Sequence, residues 1–234
     1  MITKIWGILL IQAINGLSVV YTFNILKLKR RLGMDNNAMF KIGYGLYVLS
    51  AHQDGKDNGC IINTVTQVTN TPNRIMIAVN KQNYTHDMID ATKAFNVSIL
   101  TTQVPFEIFT RFGFQSGRNV DKLENFEAID RTENGIFYVN KYTNAAICAE
   151  VFNQVDLGTH TMFLADVKDA LVLSNDETVT YSYYQSNIKP KPAETAKKGW
   201  RCKICGYIYE GEILPPDFIC PVCKHGASDF EKIV

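Results

Sequence analysis

Residues 59–80 read GCIINTVTQVTNTPNRIMIAVN. Short runs of apolar and β-branched residues separated by turn residues, as in this stretch, predominate between residues 38 and 185. Two runs rich in Val, Ile and Thr, residues 59–69 and 74–80, are separated by Asn-Thr-Pro. β-Branched residues favour strands, whereas Asn and Pro favour turns. The stretch therefore predicts two consecutive short β-strands.

The same composition predicts six more strands, and only two segments predict helices. The strands are residues 45–51, 95–100, 135–140, 145–152, 161–167 and 170–174. One helix is expected over residues 85–94, where Met88, Ile89 and Ala91 follow helical spacing, and another begins at Pro105. Short strands with so few helices favour a mainly β fold, a closed or half-closed antiparallel barrel. A doubly wound sheet would need helices between the strands.

Composition excludes several other classes of protein. The chain has 234 residues, of which 46% are hydrophobic and 20% charged, as in ordinary globular proteins. It is therefore neither wholly disordered, nor collagenous, nor a disulfide-dense secreted protein. A formal charge of +1 gives no reason to expect nucleic acid as a partner.

Residues 1–33 form an N-terminal extension with five basic residues and no acidic one. Residues 5–26 are uncharged and long enough to span a bilayer, and the basic cluster at 27–31 would hold the following chain in the cytoplasm. Polar residues within the run weaken this prediction. The alternatives are that translation starts at Met34, or that the segment packs on the fold. Each of these leaves the rest of the protein cytoplasmic.

Residues 188–199 predict a linker between two domains. The surrounding stretch, residues 186–199 (SNIKPKPAETAKKG), contains two prolines, four lysines and few apolar residues. Such a segment is expected to be extended and hydrated. The predicted domains are residues 34–187 and 200–234.

The cysteines of the second domain predict a metal site. They form two C-x-x-C pairs, Cys202 with Cys205 and Cys220 with Cys223. Thirty-five residues cannot build a sufficient core unaided, and two such turns facing each other make a tetrahedral thiolate site for iron or zinc. Paired clusters at one end also indicate a reducing compartment. The other two cysteines, Cys60 and Cys148, are expected to pack as small hydrophobic residues with no redox role.

This segment resembles rubredoxin in the sequences CGYIY, PPDFICPVC and the terminal DFE. The aromatic residues that match the rubredoxin core are Trp200, Tyr207, Tyr209, Phe218 and Phe230. Two features depart from the pattern: the 14-residue spacer is closer to that of rubrerythrin-like modules, and Lys224 stands where a glycine is common. The resemblance implies one iron ion bound by four cysteines. A zinc ribbon is the alternative.

Residues 38–185 resemble the flavin reductase-like family of FMN-binding split β-barrels. The matching stretches are GLYVLSA at 45–51, residues 59–89, FGFQSGRNVDK at 112–122 and DLGTHTMFLADV at 156–167. Together with the C-terminal segment, the chain is similar to the high-molecular-weight rubredoxins of anaerobes. The resemblance implies FMN as cofactor and NAD(P)H as electron donor.

The flavin reductase resemblance implies contacts to FMN at several places. One of these places is the end of a strand, formed by Asn63, Thr64, Val65 and Thr66. Its backbone N–H groups and small polar side chains would contact the flavin ring and the ribityl chain. Ser50 matches a ribityl or phosphate contact. Ser116 and Gly117 belong to a segment similar to the loop that closes over the flavin, although an ordinary surface turn is equally compatible. His160 matches a histidine near the flavin ring and nicotinamide, the alternative being a structural role.

Residues 81–85 predict a phosphate site from local physics as well. They lead from a strand into a helix, and free N–H groups at a helix start favour an anion. The candidate residues are Lys81, Asn83, Tyr84 and Thr85. Asn83 or Thr85 could instead be a plain N-cap.

The two predicted cofactors suggest an electron-transfer oxidoreductase. NAD(P)H gives up two electrons as hydride and an Fe(Cys)4 centre accepts one, whereas a flavin can do both. No G-x-G-x-x-G fingerprint indicates a separate nucleotide domain. The resemblance implies a homodimer and a flavodiiron NO or O2 reductase as electron acceptor. The alternatives are a flavoredoxin-like FMN and iron shuttle without NAD(P)H oxidation, and a zinc-ribbon binding module on a degenerate barrel.

Overall fold

The computed structural model describes residues 36–190, 199–203, 206–221 and 225–233. Within these ranges the chain forms twelve strands, two α-helices and several short helical turns. The strands are β1 (Tyr47–Gln53), β2 (Lys56–Ile62), β3 (Thr66–Asn70), β4 (Asn73–Asn80), β5 (Ala94–Leu100), β6 (Ile129–Arg131), β7 (Phe137–Val139), β8 (Thr143–Asp156), β9 (His160–Val172), β10 (Gly199–Cys202), β11 (Ile208–Tyr209) and β12 (Phe230–Ile233). The helices are α1 (Tyr84–Thr92) and α2 (Phe106–Gly113).

Seven strands form one antiparallel sheet in the order β2-β1-β5-β8-β9-β4-β3. Two strand predictions need correction. Residues 59–69 were expected as one strand, but β2 ends at Ile62 and a loop precedes β3. Residues 161–167 and 170–174 were expected as two strands, but β9 runs through both, since β8 pairs with it along its length and a register shift at Cys148/Ala149 absorbs the irregularity.

A two-stranded piece, β6 with β7, lies against β1 and β5 and is held there by side chains. The Ser50 hydroxyl donates to Phe137 O at 2.5 Å, and the Val139 N–H donates to Ser98 Oγ at 2.9 Å. Asn96 Nδ2 donates to Ile136 O at 2.8 Å. These polar side chains are fully buried, so they satisfy backbone groups that a neighbouring strand would otherwise pair. The predicted mainly β fold is confirmed.

Two apolar clusters hold the helices to the sheet. In one, Met88 and Ile89 of α1 pack with residues such as Phe95 and Phe163. In the other, Phe109 and Phe112 of α2 pack with further residues of the sheet and of β7. Both helices are thereby fixed on the sheet, and the start of α1 and the end of α2 border the cavity described below.

The C-terminal residues form a separate three-stranded sheet in the order β11-β10-β12. Strand pairing sets Trp200 opposite Tyr209 and Cys202 opposite Phe230. Cys202, Cys220 and Phe230 are buried together, and further aromatic residues pack around them. The sequence predicted this aromatic shell around the cysteines.

Among the described residues, no helix is both long enough and apolar enough to cross a bilayer. The predicted N-terminal extension, residues 1–33, and the candidate span within it, residues 5–26, lie outside the described residues. Most of the predicted linker, residues 191–198, also lies outside them.

Candidate functional site

The start of α1 presents backbone N–H groups without a side-chain cap. Asn83 occupies the N-cap position with an extended backbone, φ −72° and ψ 132°, and its side chain makes no capping hydrogen bond. The first N–H groups of a helix have no partner within the helix, and they carry the positive end of its dipole. This helix start therefore offers donors to an anion, and it lies within residues 81–85, for which the sequence predicted a phosphate site.

A cavity of about 390 Å³ lies at this helix start, and we call it the Thr85 cavity. Its volume is within the range of roughly 300–1,000 Å³ that small-molecule and cofactor sites occupy. Five of the predicted FMN residues line it: Asn83, Tyr84, Thr85, Ser116 and Gly117. The other lining residues are Asn58, Cys60, Gln82, Gly113, Phe114, Gln115, Lys122 and His225.

Gly117 brings its loop directly onto the wall of the Thr85 cavity. A Cβ atom at this position would lie 2.0 Å from Asn58 Oδ1, so a larger residue would force the loop or the Asn58 side chain to shift. Asn58 in turn donates from Nδ2 to the Thr85 hydroxyl at 2.9 Å, and both side chains are buried. The loop, the strand β2 and the helix α1 thus contact one another at Asn58.

Lys122 supplies a buried positive charge to the Thr85 cavity. The residue is only 4% exposed, and its Nζ donates to Gly59 O at 2.8 Å and to Phe112 O at 3.1 Å. Burial lowers the pKa of Lys122 from 10.5 to about 8, although the nearby Cys60 thiol favours the charged form. An ammonium has three donors, so one remains after these two bonds. A negatively charged ligand in the cavity would offset its desolvation.

Sequence reasoning missed Lys122 and Asn58. Lys122 ends the segment 112–122 that carried the family resemblance, yet nothing in the sequence distinguishes a buried lysine from an exposed one. Cys60 and Cys148 are buried, as expected, and burial raises the pKa of both thiols. These thiols are therefore protonated near neutral pH and pack as small hydrophobic residues.

A second group of predicted residues lies along β4 and does not line the Thr85 cavity. Thr64 Oγ1 donates to Ala78 O at 2.7 Å, which holds the segment formed by Asn63, Thr64, Val65 and Thr66 beside β4. Lys81 Nζ forms an ion pair with Asp156 at 2.6 Å. The two groups meet along the chain at residues 80–84, where β4 passes into α1.

His160 also belongs to this second group. It begins β9 opposite Asn80 of β4, and its Nδ1 lies 2.9 Å from Thr159 Oγ1. A second, more buried histidine was not predicted to have a role: His86, in the first turn of α1. His86 Nε2 lies 2.8 Å from Thr161 Oγ1, so this ring ties the start of α1 to β9.

Ser50 lies apart from both groups. It is fully buried in β1, and its hydroxyl makes the bond to Phe137 O described above. Ser50 was predicted to contact the ribityl chain or the phosphate, but in the structure its hydroxyl holds β7. The structure therefore does not bring Ser50 to the Thr85 cavity.

The C-terminal domain holds two of the four predicted metal ligands among its described residues. Cys202 and Cys220 are at most 1% exposed and share their apolar surroundings with Phe230. Gly206 adopts φ +84° after the first pair, and its N–H donates to Cys202 O at 2.9 Å, so the tight turn needs a glycine. The Cys220 N–H donates to His225 O at 2.8 Å. Cys205 and Cys223 lie outside the described residues.

Fold and site together define a class of protein: a flavin reductase-like barrel followed by a rubredoxin-like domain. Comparison with protein families agrees with this class. Residues 39–191 match the flavin reductase like domain, and residues 200–231 match the rubredoxin-like domain of rubrerythrin. The chain thus belongs to the flavin reductase-like family and carries a rubredoxin-like domain.

Two relatives cover most of the chain. It is 35% identical to the high molecular weight rubredoxin of Moorella thermoacetica over 86% of this chain and all of that protein. It is 37% identical to the ferric-chelate reductase (NAD(P)H) of Archaeoglobus fulgidus over 70% of this chain and 96% of that protein. The first relative confirms the predicted combination of domains.

Solved structures confirm the barrel fold. The NADH:FAD oxidoreductase of Streptomyces globisporus matches with a TM-score of 0.56 at 21% identity. The match covers 68% of this chain and 89% of that chain. At this identity the match supports the fold alone.

Proposed function

We propose that this protein is an electron-transfer oxidoreductase. NAD(P)H would reduce FMN bound at the Thr85 cavity, and the electrons would pass singly to iron held by the four cysteines and then to a partner protein. The observation that supports this proposal most directly is that the Thr85 cavity adjoins the buried cysteine cluster within one chain. Phe114 borders both of them.

The residues of the Thr85 cavity fit the phosphate of FMN. The start of α1 offers N–H donors at Tyr84 and Thr85, since the Asn83 N–H already donates to Asn80 O at 3.0 Å. Lys122 adds a buried cation. Gly117 keeps a side chain out of the same space. These groups would hold the phosphate and orient the rest of the cofactor.

The second group of residues would contact the flavin ring and its electron donor. Asn63, Thr64, Val65 and Thr66 present backbone groups and small side chains next to β4, and Lys81 lies at the end of that strand. His160, only partly buried, would face the ring and the nicotinamide. The name of the Archaeoglobus relative supports NAD(P)H as electron donor.

The cysteine cluster fits a tetrathiolate iron. Cys202 and Cys220 lie in an apolar aromatic shell, and Cys205 and Cys223 would complete the ligand set. Flavin supplies the conversion of one two-electron hydride transfer into two one-electron transfers, so one NAD(P)H and two ferric ions give NAD(P)+, a proton and two ferrous ions. The chain's own residues bind and orient the two groups and exclude water from them.

The partner protein would be a flavodiiron NO or O2 reductase in the cytoplasm. Exposed apolar residues of the C-terminal domain support docking of a protein there. Ile213 is 79% exposed and Ile219, next to Cys220, is 55% exposed. Replacing Ile219 with Glu should slow electron delivery to an external acceptor without changing internal reduction of the iron.

A homodimer would bury a second exposed apolar surface. Val68, Phe152, Val155 and Leu157, from β3, β8 and the turn after it, are each 40–54% exposed. Val68 lies on β3, which pairs with β4, whereas β8 is separated from β4 by β9. Sedimentation of the wild type should give twice the chain mass of 26.4 kDa, and Val155→Glu should give monomers. A monomeric wild type would contradict the dimer.

Anaerobic spectroscopy of the purified protein tests the proposed function. One FMN and one iron per chain, with NAD(P)H bleaching first the flavin and then the ferric absorbance, would support it. Zinc in place of iron would favour the zinc-ribbon alternative. Bound flavin that NAD(P)H does not reduce would favour the flavoredoxin-like alternative.

A further inference from the structure

Phe114 connects the barrel to the C-terminal domain. The residue follows α2 directly and belongs to the barrel by its position in the chain. Its side chain nevertheless packs against the buried cluster that Cys202, Cys220 and Phe230 form in the C-terminal domain. Phe114 also lines the Thr85 cavity, so one aromatic ring borders the candidate flavin site and the candidate metal site.

Two residues near Cys220 line cavities together with residues of the barrel: Pro221, inside the second cysteine pair, and His225, two residues after it. His225, whose carbonyl accepts from the Cys220 N–H at 2.8 Å, lines the Thr85 cavity together with Thr85 and Gly117. Pro221, next to Cys220, lines an adjoining cavity of about 410 Å³ with Thr110 and other residues of α2. The polypeptide beside Cys220 therefore lies against the end of α2.

The barrel holds Phe114 in a defined position. Its N–H donates to Thr110 O at 3.3 Å, which continues the hydrogen bonding of α2 by one residue. Its ring meets the Phe106 ring edge to face, with centroids 5.8 Å apart. Phe106 in turn stacks on Tyr184 at 6.4 Å. A ring fixed by such packing loses little additional conformational entropy when the second domain docks.

We propose that Phe114, Pro221 and His225 form an internal docking surface, and that Phe114 is the positioning residue that sets the separation of the flavin and metal sites. The proposal rests on the proposed function and goes further by naming the contact across which the electrons pass. Small displacements of reacting centres can slow a reaction about a hundredfold, so loss of this ring should slow the internal transfer most. Because the domains share one chain, even weak docking would be highly populated.

Substitutions on both sides of the docking surface separate docking from flavin binding. Phe114→Ala removes the ring, whereas Phe114→Tyr retains it. Thr110→Trp places a ring in the cavity that Pro221 borders, and Thr110 itself does not line the Thr85 cavity. Tyr142→Ala is the matched control, because Tyr142 is an exposed aromatic residue of the same domain outside both cavities.

The first measurement is hydrogen exchange on the full chain loaded with zinc, which is redox-inactive. In Phe114→Ala and Thr110→Trp, peptides covering residues 115–122 and 219–226 should exchange at least fivefold faster, while peptides from α1 and β5 stay unchanged. Phe114→Tyr and Tyr142→Ala should match the wild type. Unchanged exchange in both Phe114→Ala and Thr110→Trp would overturn the docking surface.

The second measurement is stopped-flow absorbance of the iron-loaded protein mixed with NAD(P)H. In Thr110→Trp, loss of ferric absorbance should slow at least tenfold relative to flavin bleaching. In Phe114→Ala, the ratio of the iron rate to the flavin rate should fall at least tenfold, and Phe114→Tyr should restore it. Equal ratios in all variants would overturn the positioning role. A wild-type iron that is never reduced would instead overturn the proposed function.

Discussion

Lys122 is the single residue whose chemistry bears most on the candidate flavin site. Its ammonium is buried and donates to two carbonyl oxygens, and neither of them carries a full charge. A buried charge without a charged partner is costly, and a bound phosphate or anionic flavin would compensate it. The residue therefore links the affinity of the Thr85 cavity for an anion to pH.

We expect Lys122→Met to weaken FMN binding at least tenfold at pH 7, because a hydrogen bond to a charged group contributes about 1.5–3 kcal/mol. With a pKa of about 8, wild-type Lys122 loses its proton as pH rises, so the affinity of the wild type should fall between pH 7 and 9.5. The variant should lack this dependence. Fluorescence titration with FMN measures both effects, with Lys141→Met, an exposed lysine, as control. An unchanged pH profile would remove Lys122 from the site.

The same lysine predicts the pH dependence of stability without FMN. Folding lowers its pKa from 10.5 to about 8, so between these values the unfolded chain binds more protons than the folded one. The free energy of unfolding should then rise with pH across this window, by at most about 3 kcal/mol. Urea denaturation of wild type and Lys122→Met at pH 7.5 and 10 would reveal this difference.

Gly117→Ala should damage the Thr85 cavity through sterics alone. The new Cβ would lie 2.0 Å from Asn58 Oδ1, and Asn58 is held by its bond to Thr85. We expect the loop to shift and FMN binding to weaken at least tenfold, as a titration would measure. Gly43→Ala is the control, since its Cβ would meet no atom within 4 Å. Equal affinity in Gly117→Ala and wild type would show that the loop is not part of the site.

At the level of helices and strands, the sequence predicted what local composition governs. Runs of β-branched residues identified most of the barrel strands, and the spacing of Met88 and Ile89 identified α1. The break between β2 and β3 and the continuity of β9 were missed. Both depend on long-range strand pairing, so Asp169 and Ala170 stay in β9 because they pair with Cys148 and Ile147 of β8.

The same distinction applies to the candidate site. Asn83, Tyr84 and Thr85 line the Thr85 cavity. They could be predicted because a helix start that follows a strand can be recognised from the local sequence. Asn58 and Lys122 also line it, but their burial arises from packing between β2, α2 and a loop. Ser50 matched a family contact by type, yet its place opposite β7 gives it a structural bond. Residue type alone could not separate these cases.

The start of α1 yields a prediction in which stability and binding change in opposite directions. Asn83 makes no side-chain capping bond. Asn83→Asp adds a negative charge at the positive end of the helix dipole and should stabilise the FMN-free protein by about 0.3–1 kcal/mol. The same charge should repel a phosphate and weaken FMN binding. Asn83→Ser, a neutral cap, separates the two effects, and thermal unfolding with FMN titration measures them. Stronger FMN binding by Asn83→Asp would exclude a phosphate at this helix start.

For the molecule as a whole, the two domains differ in what holds them together. The barrel has two extended apolar clusters, whereas the buried cluster of the C-terminal domain consists of Cys202, Cys220 and Phe230 with partly buried aromatic neighbours. Domains of about 35 residues usually need a metal or disulfides to fold. Metal binding by the cysteines would therefore supply most of the stability of the C-terminal domain.

Metal removal should accordingly unfold one domain and leave the other intact. We expect Cys202→Ser, or chelation of the wild type, to expose Trp200 and to make residues 200–234 sensitive to protease, while the barrel keeps its circular dichroism and its affinity for FMN. Phe114 would lose its partners in the C-terminal domain, so exchange at residues 115–122 should rise as well. Ser228→Ala, an exposed position of the same domain, is the control. If the metal-free chain still protected residues 200–234, the metal would not be the main source of stability of the C-terminal domain.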